Sequence, residues 1–197
     1  MARTPSTMVP LGTPAPAFSL PDTASDRVVS LADHAGAPAL LVMFLCNHCP
    51  FVVHVRPRLV ELVEGWQARG VAVVAISSND PVGYPADAPE RMAEDARRFG
   101  FTFPYLFDAT QEVALRYHAA CTPDFFLYDR ERRLAYRGQL DASRPGNGVE
   151  VTGADLERAI EAVLAGRAPD PEQRPSLGCN IKWRAENMAN GMPAYSD

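Results

Sequence analysis

The residues with the most chemistry in this 197-residue chain stand together as Cys46-Asn47-His48-Cys49. They follow an apolar run of strand length, Ala39–Leu45, and precede Val52, Val55, Leu59, Leu62 and Trp66, apolar at three- and four-residue steps. Two cysteines three apart at a strand-to-helix junction can reach each other. Unpaired helix N–H groups and the helix dipole favour negative charge there. The thiolate is the nucleophile of thiol–disulfide exchange. On this reading Cys46, on the first helical turn, is the attacking thiol and Cys49 the resolving thiol. Asn47 and His48 are tuning residues, and His48, as donor or cation, should favour the anionic form and push the couple toward oxidising behaviour. The same residues allow other chemistry. Sulfenic acid at one cysteine would make a thiol peroxidase. Cys46, His48 and Cys49 could instead hold a soft ion such as Cu(I) for transfer. Zinc would need two further ligands at metal spacing, which the sequence lacks, so no metal is expected.

The surrounding pattern is that of a chain alternating strands and helices. Phe18–Leu20 and Val28–Ser30 are short strand candidates turned at Pro21-Asp22. Ala39–Leu45 and Val71–Ile76 are continuous apolar runs, as buried parallel strands are. Between them runs the amphipathic helix, stopped by Gly70 and expected to kink at Pro57. Residues 79–89, with three prolines, predict a surface loop. A helix carrying Met92, Ala96 and Phe99, a strand Tyr105–Phe107 and a helix over Gln111–Tyr117 follow. Then come a hairpin of Phe125–Tyr128 and Leu134–Gly138 and a last helix opened by a capping box at Thr152–Asp155. The alternation predicts a mixed central sheet flanked by helices, with an N-terminal β-hairpin extension. Residues 1–17 form an extended lead-in, 18–166 the domain and 167–197 a polar, proline-rich tail.

Composition narrows the function. Net charge is −5 with no basic run, which argues against a nucleic-acid partner. The longest strongly apolar run, Ala37–Leu45, is too short to span a bilayer, and the first twenty residues lack a compact signal core, so a cytoplasmic protein with no membrane partner is expected. Four cysteines are too few for a disulfide scaffold and suit reactive thiols. Oligomeric state is left open.

Strand–CxxC–helix together with Cys121-Thr122-Pro123-Asp124-Phe125-Phe126 resembles the thioredoxin superfamily, and more narrowly the peroxiredoxin-like proteins of the AhpC/TSA–Redoxin group, over roughly residues 10–165. The resemblance implies a thioredoxin-like α/β fold and a cis Thr122–Pro123 bond facing the CxxC, where a substrate chain docks like an added strand. It implies thiol–disulfide exchange without a bound cofactor, a protein or small-molecule disulfide as substrate, and a partner reductant that restores the dithiol. Cys121 and Cys179 are the accessory thiols. Cys121 would lie near Cys46, as a redox thiol or a small buried hydrophobe. Cys179, in the tail segment Gly178-Cys179-Asn180-Ile181-Lys182-Trp183, could fold back as a resolving cysteine, pair with Cys121 or stay incidental. The pattern departs from the group in places. A peroxiredoxin's threonine and proline positions hold Cys46 and Val42, and its arginine falls near Pro123. The buried acid of thioredoxins, six residues before the first cysteine, is Leu40, so His48 or a water would have to take the proton.

Overall fold

The structure is a computed structural model that describes residues 3–189; the ends of the lead-in and of the tail lie outside them. In chain order the strands are β1 (Arg3–Pro5), β2 (Ser19–Pro21), β3 (Val28–Ser30), β4 (Ala39–Phe44), β5 (Val71–Ser77), β6 (Tyr105–Phe107), β7 (Cys121–Thr122), β8 (Asp124–Tyr128), β9 (Leu134–Gly138) and β10 (Leu177–Asn180). The helices are α1 (Pro50–Ala68), α2 (Pro89–Phe99), α3 (Glu112–Tyr117), α4 (Ala154–Leu164) and α5 (Ala185–Ala189).

A five-stranded sheet of order β6-β5-β4-β8-β9 forms the centre. β4, β5 and β6 run parallel, while β8 and β9 add antiparallel pairs. Every residue of β4 is buried because both faces of the sheet are covered. Ala39, Leu41 and Met43 pack with the apolar stripes of α1, α2 and α4. Leu40, Val42 and Phe44, pointing the other way, pack with α3, Phe18 and Val29. The mixed sheet and the β2–β3 hairpin match the sequence reading.

α1 continues past Pro57 as one helix. Two local expectations change. The capping box at Thr152 is not formed: Gly153, at φ 74°, is the N-cap of α4. Asp141 reaches across instead and accepts the N–H groups of Thr152 and Gly153 at 2.7 and 2.6 Å. The second change concerns the chain ends. β1 from the lead-in and β10 from the tail enter a second sheet, of order β1-β10-β7. Both are three or four residues long and carry no apolar alternation, so nothing local marks them as strands. Among the described residues no helix is long and apolar enough to cross a membrane.

Candidate active site

The CxxC turn lies between the end of β4 and the start of α1, and the helix begins one residue after it, at Pro50. This corrects the placement of Cys46: it precedes the first helical turn, and Cys49 is the N-cap. Cys49, not Cys46, therefore stands at the helix N-terminus, where the dipole favours negative charge, though its side chain makes no capping hydrogen bond.

The protonation of the two thiols follows from that placement. Cys49 is held well below the ordinary thiol range, against its burial. The chief cause is Cys179 as a donor, then Cys46, with the Val52 amide adding to both. Cys46 is pushed up, first because its proton is shared with Cys49, then by burial and by the charge of Asp87. The expectation of a resting thiolate on Cys46 is thus reversed. One contact opposes the charge on Cys49: the carbonyl oxygen of Thr122, 3.1 Å from its sulfur, accepts from a thiol and repels a thiolate.

Thr122 and Pro123 face the turn. The Thr122–Pro123 peptide is cis. The Thr122 hydroxyl lies 3.3 Å from Cys46 Sγ. β10 lies along β7 with Cys179 opposite Thr122, and Cys179 Sγ stands 2.9 Å from Cys49 Sγ. Cys121 does not join this group. Its thiol points at the Pro123 carbonyl, 3.6 Å away, and burial pushes its pKa up.

Asn47 and His48 are built into the turn by an acid that the sequence reading left in a surface loop. Asp87 is fully buried. Its Oδ1 accepts the Asn47 N–H at 2.8 Å, and its Oδ2 accepts Asn79 Nδ2 at 2.7 Å. His48 Nδ1 forms an ion pair with the same Oδ2 at 2.7 Å. That carboxylate raises the His48 pKa above its ordinary value despite partial burial. Asn47 is anchored further: its Nδ2 donates to Ala86 O, and its Oδ1 accepts the Tyr105 hydroxyl at 3.1 Å. A buried acid is therefore present near Cys46, supplied by a distant loop and not by the strand position held by Leu40. No pattern around Asp87 distinguishes it from the other acids of a proline-rich loop. Cys46, His48 and Asp87 also bring one ligand atom each within 4.8 Å of one another. Among the described residues the metal-type trio thus has Asp87 in place of Cys49, and the Asp87 oxygens already accept the Asn47 N–H and Asn79 Nδ2 and pair with His48.

Access is closed. Cys46 is 2% exposed and Cys49 fully buried. Tyr84 stacks on His48 with ring centroids 5.4 Å apart, and Lys182 of the tail lies 5.4 Å from the Tyr84 ring. Cys46 lies beside His48, whereas Cys49 faces β10.

Residues 11–137 match the AhpC/TSA family. The chain belongs to the AhpC/TSA family. Two solved structures resemble this member over nearly its whole length. A hypothetical protein of Sinorhizobium meliloti 1021 is 52% identical, with a TM-score of 0.90 over 92% of this chain and 99% of that one. A conserved protein of Geobacillus kaustophilus is 50% identical, with a TM-score of 0.92 over 94% of this chain and 98% of that one. Among curated relatives, the thiol-disulfide oxidoreductase ResA of Geobacillus kaustophilus (strain HTA426) is 29% identical over 81% of this chain and 82% of its own. Similarity to thioredoxin-domain structures, at 19% identity and a TM-score of 0.56 in one case, shows the thioredoxin-like fold. This AhpC/TSA member is thus an α/β protein of that fold, as the resemblance implied.

Proposed function

We propose that this AhpC/TSA member catalyses thiol–disulfide exchange, with Cys46 and Cys49 as its redox couple. The observation that carries the reading is the dithiol turn ahead of α1, with the Thr122 hydroxyl 3.3 Å from Cys46 Sγ and the Thr122 carbonyl oxygen 3.1 Å from Cys49 Sγ. The similarity to a relative named as a thiol-disulfide oxidoreductase supports it.

Cys46 lies beside His48, while Cys49 is held against Cys179 of β10, so Cys46 is the sulfur that meets substrate. The Cys49 thiolate takes the Cys46 proton. Cys46 attacks a substrate disulfide, forming a mixed disulfide and expelling one substrate thiolate, which takes the proton now on Cys49. Cys49 then attacks the Cys46 sulfur, closing the Cys46–Cys49 bond and releasing the second thiolate, which is protonated from solvent. A partner dithiol restores the reduced pair, and no bound cofactor takes part. The substrate is a protein or small-molecule disulfide, met through the backbone of Thr122 and Pro123. The protein works in the cytoplasm.

The test is turnover of insulin disulfides with dithiothreitol by the full chain. Cys46→Ser should abolish turnover, and Cys49→Ser should accumulate a mixed disulfide on Cys46, visible by mass. Unchanged turnover in both variants overturns the mechanism.

A further inference from the structure

We propose that Cys179 is a third redox thiol, which exchanges with Cys46 for Cys49, so that the oxidised chain holds its disulfide either as Cys46–Cys49 or as Cys49–Cys179. The inference rests on the proposed couple for its first oxidation and goes beyond it in adding the tail as a catalytic element.

Three observations point the same way. The Cys49 and Cys179 sulfurs are 2.9 Å apart, less than 1 Å beyond a disulfide bond of about 2.05 Å. The approach depends on long-range register, because β10 pairs with β7 so that Cys179 falls opposite Thr122. Glycine is required beside it: a Cβ on Gly178 would stand 2.0 Å from the Thr122 carbonyl oxygen. Finally, β10 is tied in from both sides. β1 pairs with its outer edge, Ser176 Oγ donates to Pro123 O at 2.7 Å, and the Lys182 N–H donates to Asn79 Oδ1 at 2.8 Å. Asn79 is itself a donor to Asp87, so the tail and the CxxC turn share one hydrogen-bond network.

In the step itself, the Cys179 thiolate attacks the Cys49 sulfur of the Cys46–Cys49 bond. The Cys49–Cys179 bond forms, the Cys46–Cys49 bond breaks, and its electron pair leaves on Cys46, which takes up the proton that Cys179 lost. The oxidation level is unchanged and no further reactant is needed. In the reduced chain the hydrogen bond with Cys49, burial and the Cys49 charge push the Cys179 thiol up, and Lys182 on the same segment opposes them. The exchange hands back Cys46 as a thiol while the oxidising equivalent is stored on a strand of the tail.

The experiment uses the reduced full chain and 5,5′-dithiobis(2-nitrobenzoate). In Cys46→Ser the first native thiol to react should carry the aryl group only briefly, because its neighbour displaces it. About two aryl thiolates should be released per chain, and peptide mapping should find Cys49 linked to Cys179. Adding Cys179→Ser should cut the release to about one and leave the aryl group on Cys49. Cys46→Ala repeats the test with a different side chain. In the wild type, mapping should find both linkages. A Cys46→Ser chain that keeps its aryl label, or links Cys49 to Cys121, overturns the inference, as does a wild type holding only Cys46–Cys49. A wild type with no Cys46–Cys49 linkage at all would instead count against the proposed couple, so the two failures are distinct.

Discussion

Replacing Asp87 with asparagine tests how far the CxxC turn depends on one distant carboxylate. The side chain keeps its shape, but one of its two oxygens becomes an NH2 group. The carboxylate accepts from two donors, the Asn47 N–H and Asn79 Nδ2, and pairs with His48 Nδ1 as a charge contact without hydrogen-bond alignment. Whichever way the amide turns, at least one buried donor then faces another donor. A stranded donor costs about 1–3 kcal/mol. The remaining contacts lose their charge assistance, which roughly halves their strength. A total of about 3 kcal/mol follows, which for a domain of this size lowers Tm by roughly 6–12 °C. The same change moves both neighbours in a known direction. The His48 pKa falls, since the carboxylate is what raises it. The Cys46 thiol pKa also falls, because Asp87 is one of the groups holding it up. The raised His48 binds its proton more tightly in the native state. Its contribution to stability is therefore full below about pH 6.5 and fades as pH rises through the folded value. The stability gap between wild type and D87N should narrow correspondingly with rising pH, though solvent screens part of it because His48 is half-exposed. The assays are thermal unfolding across pH, NMR titration of the His48 ring, and the pH profile of Cys46 alkylation by iodoacetamide, mapped by peptide. A Tm within about 1 °C of wild type, with unchanged His48 and Cys46 profiles, would refute the reasoning.

Gly178→Ala should push β10 away from Thr122, because the new Cβ meets backbone that cannot rotate aside. Overpacking of about 1–3 kcal/mol and faster alkylation of Cys49 are expected; unchanged stability and alkylation would show that the strand contact is loose. Asp124 is fully buried beside Arg137, with Nη2 to Oδ2 at 3.2 Å, and burial pushes its carboxyl up to about 6. Its folded pKa lies above its unfolded value of about 3.9, so this group makes stability fall between about pH 4 and pH 6. Urea unfolding should show a flatter slope over that window in Asp124→Asn, and an unaltered slope would contradict the assignment.

How much was legible in the sequence differs between elements and site. β4 and β5 were readable because a strand buried on both faces must be apolar throughout, and α1 because a helix covering one face repeats its apolar residues every three or four positions. The dithiol turn was readable because both cysteines are local to one junction. β1, β7 and β10 were not: each is short, and each exists only because it pairs with a segment far away in the sequence. The same limit governed the chemistry. Cys46 and Cys49 could be named as a couple from spacing, but which sulfur keeps the proton depends on groups brought from elsewhere: Cys179, Asp87 and the Thr122 carbonyl. Charge and hydrogen bonding act through space over a few ångströms, whereas sequence order reports distance only within a turn or two of helix. The dithiol and the strand and helix around it were therefore written along the chain. Its acid, its third sulfur and its burial were decided by tertiary packing.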